Sequence, residues 1–411
     1  MFKKIEIIEN IFYVGINDRT KYLFENLWPL PKGVSYNSYI INDDKVVLVD
    51  TVDACYADIF FSKINSVIGD KPIDYLVVNH MEPDHSGSIA LLKTRYPNIK
   101  IIGNARTAEM LKGFYGIIDN VQVIKDKEKL SIGKNTLEFH FTPMVHWPET
   151  MMTYIPESKT IFSADAFGTF GTLDGGVMDY ELNVCNYWDE MIRYYSNIVG
   201  KYGNSVQAAF KKLDGVEIDT ICSTHGPVWT QKENIEKVIS IYDKLSKYEA
   251  DNGLVIVYGS MYGNNEQVAE IIANGAARNG IQNIIMHNVS KSDASYIIRD
   301  VFKYKGLIIG SPTYNNKLYP GVESILSALS NRALRNRFFG SFGGYTWADA
   351  TEKQLRSAAE GMNLEILPES VLMKQGLTPD VAEAAYKLGK AMADKLNSGL
   401  DAVANTHKEC H

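Results

Sequence analysis

DYLVVNHMEPDHSGSIALLKTRY, residues 74–96, opens on an apolar run, breaks at Asn79 and resumes as a helical pattern after Gly87. A buried strand, a polar loop and a helix make the repeating unit of layered α/β domains. The loop is the unusual part. His80, Glu82, Asp84 and His85 fall within six residues at a strand end. Crowding two imidazoles and two carboxylates is costly unless a cation sits among them. Imidazole combined with carboxylate suits iron, zinc or manganese.

The same arrangement recurs downstream. His146 follows the strand-like FHFTPMV, Asp165 follows TIFSA, and His225 follows DTICST. Loops beyond one sheet edge are where distant segments assemble a site. His140 and His287 lack such a setting and read as structural hydrogen-bonding residues. His407 and His411, in the terminal THKECH, read as part of a frayed end.

Two grammars divide the 411 residues. Short paired strands dominate the first half, as in KIEIIENIFYVGI and the hairpin pattern IINDDKVVLVD. Helical patterns stand between some of them: ADIFFSKINSVIG, GSIALLKTRY and RTAEMLKGFYG. After the charged run KENIEKVISIYDKLSKYEA the rhythm changes to five strand–helix units, beginning with LVIVYGS and NNEQVAEIIANGAARNG. Continuous apolar strands alternating with helices predict a parallel sheet covered on both faces. The expected domains are residues 1–250 and 251–398, with 399–411 as a flexible tail.

Composition excludes other classes. The formal net charge of −7 argues against a nucleic-acid binder. No run approaches the roughly 20 apolar residues of a membrane helix, and the N-terminus lacks a signal-peptide core. The four cysteines form no C-x-x-C pair, so free thiols in a reducing cytoplasm are expected.

Taken in order, His80, Glu82, Asp84, His85, His146, Asp165 and His225 resemble the metallo-β-lactamase signature H-x-H-x-D-H with its later His, Asp and His. One position is altered: Glu82 stands where the hydrolases place histidine. H-x-E-x-D-H, together with the HWP run at His146–Pro148, resembles the flavodiiron proteins. The resemblance implies an N-terminal metallo-β-lactamase-like αββα sandwich with two irons. One iron takes His80, Glu82 and His146, the other takes Asp84, His85 and His225, and Asp165 bridges them. Three carboxylates and four imidazoles supply −3 against +4 for two ferrous ions, and an anionic oxygen donor favours iron over zinc.

The loop GSMYGNNEQ, residues 259–267, joins the first strand and helix of the second half. It has neither the lysine of a Walker A loop nor the G-x-G-x-x-G spacing. Its small and hydroxyl residues suit anion binding at a helix N-terminus. It resembles the FMN phosphate loop of flavodoxin, carried on a doubly wound five-stranded parallel sheet. The expected FMN contacts here are Ser260, Met261, Tyr262, Gly263, Asn264 and Asn265. Asn265 replaces a common hydroxyl residue, and its amide is able to donate to phosphate. Two further loops are expected to flank the ring: SPTYNN, contributing Pro312, Thr313, Tyr314, Asn315 and Asn316, and SFGGYTW, contributing Ser341, Phe342, Gly343, Gly344, Tyr345 and Trp347.

The flavodiiron resemblance implies a cytoplasmic terminal reductase, passing electrons from FMN to the diiron site. The substrate is oxygen, reduced to water, or nitric oxide, reduced to nitrous oxide. The ligand set does not decide between them, and oxygen is the first expectation. Tyr22, Phe24, Trp147 and Tyr194 are the aromatic candidates for shaping the pocket. The resemblance also implies a head-to-tail homodimer, or a dimer of such dimers, and a separate rubredoxin-type donor or its reductase. Two other classes stay open on the residues alone: a zinc hydrolase with a flavodoxin-like accessory domain, and a non-catalytic redox carrier or gas sensor.

Overall fold

The computed structural model describes residues 2–398; the terminal histidines and the expected tail lie outside them. The described chain forms two compact units, residues 2–195 with 202–243, and residues 196–201 with 244–398.

The first unit holds a seven-stranded and a five-stranded sheet. The larger runs Ile5–Ile8, Ile11–Tyr13, Tyr39–Asn42, Val46–Val49, Tyr75–Val77, Lys100–Gly103 and Val121–Val123. Its first four strands pair antiparallel and the remaining pairings are parallel. The smaller sheet runs Lys129–Ser131, Thr136–Phe141, Met151–Ile155, Thr160–Phe162 and Thr220–Cys222. Their inner faces meet: the rings of Tyr39 and Phe162 lie 5.3 Å apart, and the Thr153 hydroxyl donates to Asn79 Oδ1 at 2.7 Å. The strands Val46–Val49 and Met151–Ile155 are buried at every position, so both faces are covered and no polar alternation survives.

This arrangement brings the candidate ligands to one edge. His80 to His85 follow the end of Tyr75–Val77, His146 follows Thr136–Phe141, Asp165 follows Thr160–Phe162, and His225 follows Thr220–Cys222. Two helices that the sequence reading passed over, Cys185–Tyr194 and Gly203–Lys212, also belong to this half. Cys55 and Cys222 are free thiols.

The second unit is a five-stranded sheet in the order Ile284–Asn288, Asp251–Tyr258, Tyr304–Pro312, Phe338–Tyr345, Glu365–Lys374, parallel throughout. That is the flavodoxin order, with its switch point beside the first strand. Leu254 to Val257 are fully buried, as expected for a central strand. The helices Asn264–Arg278 and Pro379–Asn397 approach through two glycines. A Cβ on Gly275 would lie 2.4 Å from Tyr386 O, and one on Gly389 would lie 2.0 Å from Ile272 O. No helix among the described residues is long and apolar enough to cross a membrane.

Candidate metal centre and cofactor loops

All seven expected ligands are buried, and they gather into two groups: His80, Glu82, His146 and Asp165, and Asp84, His85 and His225. In the first, His146 Nε2 lies 3.0 Å from both Glu82 Oε2 and Asp165 Oδ2. His80 Nε2 lies 3.3 Å from Glu82 Oε2 and 3.5 Å from Asp165 Oδ2. In the second, His85 Nε2 lies 3.0 Å from His225 Nε2 and 3.3 Å from Asp84 Oδ2. Asp165 turns its other oxygen to this group, with Oδ1 3.1 Å from His85 Nε2. One carboxylate therefore faces both groups, one oxygen to each.

The backbone and an outer layer of polar groups aim these side chains. Asp50, buried with φ of 54°, accepts from the N–H of Asn79 at 2.7 Å and of His80 at 3.4 Å. Pro83 opens a four-residue helix, Pro83–Ser86, that carries Asp84 and His85. His80 Nδ1 lies 2.8 Å from Glu149 Oε1, which also accepts from Met81 N at 2.9 Å. His225 Nδ1 lies 2.7 Å from Ser35 O. With Nδ1 satisfied on the outside, Nε2 of each ring is free to face the centre. Thr224 donates to Asp165 Oδ1.

The donor set fits a pair of cations. Both oxygens of Asp84 are buried without a protein hydrogen bond, a costly state unless a cation answers it. The Nε2 atoms of His85 and His225 converge to 3.0 Å, close enough for both to serve one cation. The local electrostatics point the same way. Burial opposes charge on His146, but Asp165 and then Glu82 push it up to about 9. Burial likewise opposes charge on His85, while Asp84 and Asp165 push it up to about 8. Burial also works against the Asp165 carboxylate, yet His80 and His85 hold it well below the ordinary range. The same imidazoles and carboxylates, gathered into two buried groups, are donors that suit metal ions.

Of the expected pocket aromatics, three reach this centre. The Phe24 ring lies 5.4 Å from that of His225, Tyr194 also 5.4 Å from His225, and Trp147 5.3 Å from His80. The Tyr194 hydroxyl is buried with no protein partner. Tyr22 is 79% exposed and is not among them. His140 has both ring nitrogens without a hydrogen bond, and burial lowers its basicity. His287 pairs with Asp300 at 2.8 Å.

In the second unit, the three expected loops lie at the carboxyl ends of the first, third and fourth strands of the chain order. Gly263, at φ of 90°, caps the helix Asn264–Arg278. Its N–H is taken by Ser260 Oγ at 3.1 Å. The first N–H groups of that helix have no partner within it and are free for an anion. Met261 and Tyr262 are 45% and 92% exposed. Asn315 and Asn316 have φ of 50° and 58° between Tyr314 and Lys317, whose backbones bond to each other twice at 2.9 Å. That is the left-handed two-residue turn that asparagine tolerates. The fourth strand runs on to Tyr345, further than its glycines suggest. Ser341 and Phe342 are therefore buried strand residues, and Phe342 belongs to the core. Gly343 and Gly344 are buried too, while Trp347 is 87% exposed. Asn265 is buried, with its amide donating to Gly259 O at 3.1 Å instead of pointing out of the loop.

Comparison with known proteins follows this division. Residues 34–226 match the family described as ODP family beta lactamase, and residues 256–389 match flavodoxin. The chain is 30% identical to the anaerobic nitric oxide reductase flavorubredoxin of Escherichia coli, over 92% of this chain and 78% of that one. The chain belongs to the flavodiiron proteins. Its structure superposes on the rubredoxin:oxygen oxidoreductase of Desulfovibrio gigas with a TM-score of 0.93 and 29% identity, covering 97% of this chain and 100% of that one. The flavodiiron protein of Giardia intestinalis gives 0.92 and 27%, covering 97% and 98%. As a flavodiiron protein the chain is an oxidoreductase whose cofactors are FMN and a non-haem diiron centre.

Sequence reasoning missed the outer layer of the metal centre: Glu149, Ser35, Thr224 and Asp50. Glu149 stands three residues after His146 in HWPET. A carboxylate in that run was a usable signal, although nothing there names His80 as its partner.

Proposed function

We propose that this chain is a terminal reductase that removes oxygen or nitric oxide. His80, Glu82 and His146 would hold one iron, Asp84, His85 and His225 the other, with Asp165 between them. The observation that carries this is Asp165, with Oδ2 3.0 Å from His146 and Oδ1 3.1 Å from His85. It joins two ligand groups, one of which contains Glu82, on a chain that also carries a flavodoxin-like sheet. When bound, FMN would supply stored electrons and the iron pair a redox-active site for a small oxidant.

The chain's own residues set the conditions for that chemistry. Glu149 and Ser35 fix the two outer imidazoles through Nδ1. Phe24 and Tyr194 set their rings against His225 and Trp147 sets its ring against His80, and the Tyr194 hydroxyl is a buried polar group among them. In the flavodoxin-like half, residues 259–264 would take the phosphate, while residues 312–316 and 343–347 would bound the ring. Residues 1–250 and 251–398 act as separate modules in this scheme. A head-to-tail homodimer in the cytoplasm, fed by a rubredoxin-type donor, is the arrangement we favour. Relatives named for nitric oxide and for oxygen are almost equally similar, so the two substrates must be compared directly.

Asp84→Asn or His146→Asn should abolish donor-driven consumption of both gases while FMN remains bound. Glu82→His should lower turnover more than total metal content. Full turnover in the first two variants would refute the ligand assignment.

A further inference from the structure

Asn265 occupies a position where a hydroxyl would serve to hold phosphate, but its side chain faces elsewhere. It is 3% exposed, and Nδ2 donates to Gly259 O at 3.1 Å. Gly259 follows the strand Asp251–Tyr258 and opens the phosphate loop. The other end of the amide, Oδ1, lies against Gly344, where an added Cβ would come within 2.5 Å of it. Gly344 in turn accepts from Thr313 N at 2.7 Å. Thr313 Oγ1 then accepts from Ala350 N at 3.2 Å. One buried amide thus touches the phosphate loop and the end of the fourth strand, and through Gly344 it reaches Thr313, the residue before the Tyr314–Lys317 turn. The phosphate is left to the free N–H groups of the helix start and to the Ser260 hydroxyl, which accepts from Gly263 N and keeps its own hydrogen.

We propose that Asn265 is a positioning residue that sets the spacing of the three flavin loops and acts on the ring side of the cofactor, not as a phosphate ligand. This rests on the assignment of those loops to FMN. Two consequences separate it from a phosphate contact. Loosening the amide must weaken a flavin with or without its phosphate. The tight fit at Gly344 also makes an alanine there tolerable only when the Asn265 side chain is gone.

The test uses full-length protein stripped of flavin and titrated with FMN and with riboflavin, followed by quenching of flavin fluorescence. Asn265→Ala should weaken both about tenfold, the weight of one buried hydrogen bond, leaving their affinity ratio unchanged. Gly344→Ala, whose Cβ would press on Asn265 Oδ1, should also weaken both. The double variant should bind no worse than Asn265→Ala alone. A loss confined to FMN in Asn265→Ala would make the amide a phosphate ligand and overturn the proposal. Unchanged affinities, or additive losses in the double variant, would overturn it equally. Wild-type protein that binds no FMN would instead refute the loop assignment beneath it.

Discussion

Glu149 shows how much of a metal centre lies outside its ligands. Its Oε1 holds both His80 Nδ1 and the Met81 N–H, so it fixes the ring and the backbone next to it. Glu149→Gln keeps the shape and removes the charge. Iron retention against a chelator should fall about tenfold, the lower end for an outer partner of a ligating histidine; retention equal to wild type would mean that the carboxylate charge is idle. Lys63 offers a pH test at the same scale. Burial pushes its ammonium down to about 8, below the free lysine value of about 10.4. Between those values the unfolded chain binds more protons than the folded one, so stability should rise with pH across that window. Lys63→Met should flatten this rise in urea melts, and parallel curves for the two proteins would contradict it. The ligands themselves were legible because each follows a strand end and four of them fall within six residues. Glu149 was not, because its partner is 69 residues away in the chain and only the meeting of the two sheets joins them.

At the scale of elements, the helix Asn264–Arg278 supports the phosphate loop, and its neighbour Pro379–Asn397 fixes where it lies. The two backbones approach so closely that a side chain on Gly389 would meet Ile272 O at 2.0 Å. Gly389→Ala should therefore cost about 1–3 kcal/mol, the usual range for overpacking, read from urea unfolding of the full chain; an unchanged midpoint would show that the helices can separate freely. The strand–helix alternation of this half was legible because buried parallel strands leave long apolar runs. Element ends were less so. The glycines in Ser341–Tyr345 suggest a loop, yet they remain in the strand because Gly343 and Gly344 give way to Thr351 and Asn265, whose side chains fill the space a Cβ would need. The helix Cys185–Tyr194 went unread because buried Glu190 and Arg193 blur the apolar stripe that marks a helix, and Gly203–Lys212 because it opens on Gly203, Asn204 and Ser205, which are weak helix formers. Glu190 and Arg193 satisfy each other at 2.7 Å, a pairing visible only after folding.

For the whole molecule, the reading of one small change has the widest reach. Glu82 in place of histidine separates this chain from the zinc hydrolases that share its sandwich, and the flavodoxin-like half gives that change a redox purpose. The fold class and both cofactors were legible from the two motifs together. The oxidant was not, because the pocket rings are set by residues from separate segments, Phe24, Trp147 and Tyr194, and their mutual placement is a product of the fold. The most direct test measures metal, flavin and turnover on one preparation of full-length protein: iron, zinc and FMN per chain, then consumption of oxygen and of nitric oxide driven by a reduced donor, for wild type and Asp84→Asn. Two irons and one FMN per chain, with gas consumption that disappears in the variant while FMN stays bound, is the expected result. Two zincs with no donor-driven consumption, or undiminished consumption in Asp84→Asn, would contradict it.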